Sequence, residues 1–275
     1  MTTTQAPAHR SHARAATPRP APVALPARIP LTRLVGVELR KSLDTRSGAW
    51  LLAGIGLAAV LTTAAVIAWA PAEEFTYAQF TLAIGMPMSV ILPIIAILSV
   101  TSEWSQRSGL TTFTLVPRRG RVMLAKAVAA VLIAATATLV AFVVGALGNV
   151  VGTGIAGVPT IWDQSLADVG FVALGNVLLL LIGFTLGALL RSSPAAIVAY
   201  MIYAFVAPGL LAFLAFRQAW FHDVRPWVDP KYTQDALLQG DLGGEQWAQL
   251  GVTTVVWLVL PLLAAVVNLL RSEVK

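Results

Sequence analysis

Val122–Gly148 reads VMLAKAVAAVLIAATATLVAFVVGALG, and its single charge is Lys126, close to the start. A helix needs about 20 predominantly apolar residues to cross a bilayer, so this stretch predicts a membrane span. It is one of several such runs. The 275-residue chain is 57% hydrophobic and only 12% charged, about half the charged fraction of an ordinary soluble domain. The composition therefore predicts an all-α polytopic membrane protein. Candidate spans are Gly48–Ala70, Phe80–Val100, Val122–Gly148, Leu166–Leu190, Pro194–Phe216 and Ala248–Leu270. With no cysteine there is no disulfide framework, thiolate metal site or Cys nucleophile.

Just upstream of this span the character changes. TSEWSQRSGLTTFTLVPRRGRVMLAK, Thr101–Lys126, holds five basic residues and one acid. Ser102–Arg107 reads as a helical turn that Gly109 can end. Thr111–Val116 is β-branched and reads as extended, and Pro117–Gly120 reads as a turn. The stretch is patterned rather than a plain linker, which predicts an ordered basic surface. An anionic-lipid contact is the plainer alternative.

Farther upstream, residues 1–30 are basic and rich in Pro and Ala, with no apolar period and no acid, and read as a disordered tail. The tail lacks the apolar core of a signal peptide. Leu31–Arg46, LTRLVGVELRKSLDTR, has helical amphipathic spacing and predicts an interfacial helix lying on the membrane. Leu31, Leu34, Val35, Leu39 and Leu43 share one half of the wheel, with Arg33, Arg40 and Asp44 opposite. Glu38 falls inside the apolar arc. Either its carboxylate reaches water along the helix surface, or it meets a positive group on another segment, for which Arg107 and Arg119 are candidates.

Six spans put both termini on one side. Of the 19 Lys and Arg residues, 16 fall in segments on that side, and only Arg217, Arg225 and Lys231 fall opposite. The positive-inside rule then predicts cytoplasmic termini. The net charge of +6 is explained by topology and anionic lipid rather than by nucleic acid.

Catalytic patterns are scarce. No H-E-x-x-H, G-x-S-x-G or phosphate-loop pattern occurs, and the spans hold almost no ionisable residue to form a proton relay. GTGIAG, Gly152–Gly157, satisfies G-x-G-x-x-G, but it follows a span rather than a strand and is expected to be a flexible loop. His222-Asp223 lacks a plausible nucleophile partner, and His9 and His12 lie on the tail. The chain is therefore expected to be neither an enzyme nor the holder of a metal or cofactor.

Other residues predict packing or motion. Pro87 and Pro93 interrupt the second span and suggest a bent or mobile helix. Gly183 and Gly187 form a small-xxx-small pair for close helix contact, and Asn176 is expected to hydrogen-bond across helices. Pro208 and Pro261 are expected to bend the last two spans.

The entry helix with VELRKSLDTR, the six spans, and EW…R…G followed by VPRRGRVMLAK together resemble the ABC-2 type permeases, the membrane subunits of ATP-binding-cassette exporters. The resemblance covers residues 31–275, including an outer segment at Arg217–Trp247. It implies a permease that pairs with a second copy or paralogue in the cytoplasmic membrane. A separate cytoplasmic ATP-binding subunit, which itself binds the ATP, would drive it. It further implies that the entry helix and the loop after the second span receive the ATPase stroke. The residues carried over are Glu38, Arg40 and Lys41 on the helix, and Glu103, Trp104, Arg107, Arg118, Arg119 and Lys126 on or beside the loop. A membrane scaffold that recruits a cytoplasmic partner without transport is the alternative.

Overall fold

The computed structural model describes residues 29–44, 46–105, 119–240 and 242–271. Residues 1–28 of the basic tail, Arg107, Gly109, Thr111–Val116, Arg118 and the last four residues lie outside it. The described chain is almost wholly helical. In chain order the helices are α1 Leu31–Asp44, α2 Arg46–Trp69, α3 Tyr77–Ser105, α4 Arg119–Ala156, α5 Leu166–Leu190, α6 Ser193–Met201, α7 Ala207–Arg217, α8 Ala219–Val228, α9 Pro230–Gln239, α10 Gly244–Thr254 and α11 Leu260–Arg271. Among the described residues no strand forms, and one isolated parallel bridge joins Thr76 to Ile161. Six helical stretches are long and apolar enough to cross a membrane, so the chain is a multi-pass membrane protein.

The core lies between α3, α4 and α5. On α3 the buried positions Ile84, Met88, Leu92, Ala96 and Val100 recur every four residues. On α4, Ala130, Ala134, Ala137 and Ala141 make a stripe of small side chains against them, and α5 supplies Leu180, Phe184 and Ala188. Lipid is as apolar as leucine, so burial alone does not hold such helices together. Close backbone approach and interhelical hydrogen bonds contribute instead. Both occur here. A Cβ added to Gly183 would lie 2.7 Å from the Pro93 carbonyl oxygen, and one on Gly187 would lie 2.5 Å from Val100 Cγ1. Asn176 Nδ2 on α5 donates to Thr138 Oγ1 on α4 at 3.0 Å.

Pro87 and Pro93 both lie within one continuous helix, α3, Tyr77–Ser105. Pro93 is the surface on which Gly183 packs. Sequence expectations are corrected along α4. Arg119 and Gly120, expected in a turn, already belong to α4. The GTGIAG stretch is not a loop: α4 continues through Ala156, and Gly157, at φ +69°, follows its last residue. Tertiary contacts explain the extension. Gly145, Gly148 and Gly152 form one glycine face of α4 that admits Thr81, Thr63 and Phe80. Farther along, Asn149 Nδ2 donates to the Ile161 carbonyl, and Thr153 and Thr160 share a hydroxyl hydrogen bond. The 38-residue α4 is about 57 Å long, well beyond a hydrocarbon core of roughly 30 Å.

Pro208 and Pro261 each follow a local widening of the helix. Each is preceded by five residues in wider π turns, Ile202–Val206 and Val255–Val259. The residue just before each proline donates five residues back, Ala207 to Ile202 and Leu260 to Val255. A proline ring crowds the carbonyl four residues earlier, and a wider turn relieves that crowding. The two π turns meet side by side through Tyr203 and Trp257, whose ring centroids are 5.7 Å apart.

Contacts also sort the ends of the bundle. At one end Thr101 and Ser193 share a hydroxyl hydrogen bond, joining the end of α3 to the start of α6. At the other, Tyr77 N–H donates to the Ile161 carbonyl and Ala78 N–H to Asp163. Residues 219–240 and 242–247 lie there, forming α8, α9 and the start of α10.

Candidate functional site

At the end of the bundle that carries α1, one charge sits deep in the protein. Lys126, the exception in an apolar span, is only 2% exposed. It needs a counter-ion, since a charge withdrawn from water is tolerated only when paired. Glu38 supplies one: Lys126 Nζ donates to Glu38 Oε2 at 2.6 Å. Lys41, one turn along α1, donates to Glu38 Oε1 at 2.8 Å. The Ser99 carbonyl of α3 lies 3.5 Å from Lys126 Nζ. Three helices therefore meet at one ammonium group, that of Lys126.

The amphipathic pattern of α1 now has a local explanation. Leu34, Val35 and Leu39 are half-buried on the face that packs against α4 and α2, and Glu38 sits among them, 7% exposed. Its acidity reflects two opposed effects. Burial works to raise the carboxyl pKa, but the Lys126 charge and the hydrogen bonds from Lys126 and Lys41 outweigh it. The group stays below its ordinary 4.5.

Of the residues singled out from sequence, the structure brings together Glu38, Lys41 and Lys126. Arg40 is exposed on the outer face of α1. Glu103 and Trp104 belong to the last turn of α3 and Arg119 begins α4, but their side chains are outside the described set, as are Arg107 and Arg118 altogether. Gly183, Gly187 and Pro93 pack helix on helix. His222 and Asp223 are largely exposed and 3.4 Å apart, and among the described residues no third side chain joins them in a catalytic set. Among the described residues no group of His, Cys, Asp or Glu is arranged to hold a metal ion.

The opposite half of the molecule contains a cavity of about 560 Å³ between α3, α5 and α9. Carboxamides of Gln79, Gln164, Asn176 and Gln234 line it, with the hydroxyls of Thr81 and Ser89. Lys231 and Asp235 pair with each other at its rim and are roughly half exposed. Gln234 also reaches the Tyr203 hydroxyl in the first π turn, and Tyr200 O–H donates to the Ser89 carbonyl. Nothing in the sequence reading singled out this cluster apart from Asn176. One signal was present: Gln79, Leu82, Met86 and Ser89 recur at helical spacing along one face of α3.

These features define a class, a polytopic helical membrane protein with a buried ionic junction at one end and a polar cavity toward the other. The sequence matches no protein-family profile and no curated protein.

Proposed function

We propose that the chain is the permease subunit of an ATP-binding-cassette exporter, forming the transmembrane pathway in the cytoplasmic membrane with both termini inside. A separate ATP-binding subunit would drive it, and a second permease copy or paralogue would complete it. Anionic lipids would meet the basic face, and nucleic acid is not a partner in this reading. The observation that carries it is the Glu38–Lys126 pair. It joins α1 to α4 and lies against α3, beside the points where the chain leaves α3 and re-enters α4 around the basic segment. A push on α1 or on that segment would pass through a buried ionic contact into two spans.

The test is reconstitution with a co-expressed ATP-binding-cassette subunit in phospholipid vesicles. ATP hydrolysis and ATP-dependent efflux are expected only when both subunits are present. Hydrolysis or proton flux by this chain alone would overturn the reading, and a stable complex that hydrolyses ATP without moving any solute would favour the scaffold. Orientation has its own check, helped by the absence of cysteine. Cysteines placed at the exposed Glu73 and Asp223 are expected to react with an impermeant thiol reagent in intact cells, and one at the exposed Arg33 is not. The reverse labelling pattern would invert the topology.

A further inference from the structure

We propose that the cavity between α3, α5 and α9 is a binding site for a neutral, hydroxyl-bearing head group attached to an apolar chain. Its volume, about 560 Å³, is that of a small-molecule site. Four carboxamide residues line one cavity, and two of them, Gln164 and Gln234, carry side-chain oxygens that lie buried behind its surface and accept no hydrogen bond. Gln234 is itself 95% buried, being 5% exposed. A buried polar atom left unpaired is costly, so a ligand whose donor draws either amide round into the cavity recovers that cost.

The remaining polar groups define the kind of donor. Thr81 donates its hydroxyl proton to the Tyr77 carbonyl and Ser89 to the Met86 carbonyl, so both oxygens keep lone pairs. The two charged lining residues, Lys231 and Asp235, neutralise each other, so the cavity offers no unbalanced charge to an ion. A hydroxyl group donates to these oxygens and also accepts from carboxamide N–H groups, whichever way each amide is turned. The apolar part of the ligand has its own surface. Leu82 and Met86, 57% and 72% exposed, stand between Gln79 and Ser89 on the same face of α3. A head group seated among the carboxamides leaves its apolar chain to lie along Leu82 and Met86.

The site lies in the half of the bundle away from the Glu38–Lys126 junction, and it would bind such a molecule whether or not the chain works with an ATPase. The experiment uses the full chain in phosphatidylcholine nanodiscs, titrated with octyl glucoside below its micellar concentration. Octyltrimethylammonium and octyl sulfate form the charged arms. Saturable binding is expected for the glucoside alone. Gly85 lines the cavity, and a Cβ added there meets nothing within 4 Å, so Gly85→Leu fills the space without a clash at the backbone. It is expected to weaken glucoside binding by about tenfold or more, as is Gln164→Leu, which removes one unpaired acceptor. If Gly85→Leu fails to fold, Gln164→Leu carries the test. Equal binding of a charged arm, or glucoside binding unchanged in a folded variant, overturns the assignment.

Discussion

Glu38→Gln is expected to destabilise the protein by about 3–5 kcal/mol, the cost of breaking a buried ion pair from one side. Lys126 is 2% exposed and cannot turn to water, and an amide cannot replace the charge that holds it. The contrast with Lys41 is instructive. Its side chain is 48% exposed, so Lys41→Met is expected to cost only about 0–1 kcal/mol although its bond to Glu38 is nearly as short. Arg33→Gln, on the exposed face of the same helix, is expected to stay within about 0.5 kcal/mol. The double change Glu38→Leu with Lys126→Met removes both charges at once, and is expected to recover most of the loss, because a buried pair contributes little net stability beyond an apolar replacement. Thermal unfolding of the four variants in nanodiscs measures all of this. A Glu38→Gln protein as stable as Arg33→Gln would mean that the carboxylate reaches water and does not hold Lys126.

The same pair fixes a pH dependence. Glu38 has a lower pKa folded than its ordinary 4.5. Its contribution is therefore fully present above about pH 4.5 and is lost as pH falls through the folded value. Wild-type melting should fall away in that acid window, and the difference between wild type and Glu38→Gln should shrink there. A difference that stayed constant to well below pH 4 would place the titrating group elsewhere.

Gly183 carries the second large effect. Its added Cβ would fall 2.7 Å from both the Cβ and the carbonyl oxygen of Pro93 and 2.8 Å from its Cα, and two of those are main-chain atoms of a proline held in a continuous helix. Relief requires α3 and α5 to separate. Gly183→Ala is expected to cost about 1–3 kcal/mol, and Gly183→Leu to prevent stable folding. Gly154 provides the control, since its added Cβ meets nothing within 4 Å. There Ala replaces Gly in a helix at no steric cost, and a gain of about 0.5–1 kcal/mol is expected. If the two alanine variants melt alike, the close contact between α3 and α5 is not a determinant of stability.

How much of this was legible follows from the range over which each signal acts. Six apolar spans follow from the chain's local composition, because a bilayer demands about 20 apolar residues per crossing and that demand is met within each segment. The sequence also determined α1, whose 3.6-residue period marks its inner face and shows Glu38 out of place on it. Gly183 and Asn176 were visible as residues that only a neighbouring helix would explain. Which neighbour was another matter. The loop arginines nearest in pattern were the sequence candidates for Glu38, and the fold set Lys126 beside it from a position 88 residues away. The glycine face at Gly145, Gly148 and Gly152 was hidden by the loop-like look of GTGIAG, because glycine weakens a helix in isolation and strengthens one that must approach another closely. The π turns needed tertiary structure for a similar reason: proline specifies that a bond is missing, and packing around Tyr203 and Trp257 accompanies the way the helix widens. The cavity was least legible of all. Gln79, Gln164, Asn176 and Gln234 come from three helices and a connecting segment, and no local period relates them. Hydrophobic length is a property of one segment, but the partner of a buried charge and the lining of a cavity are properties of several, and only their assembly in three dimensions decides them.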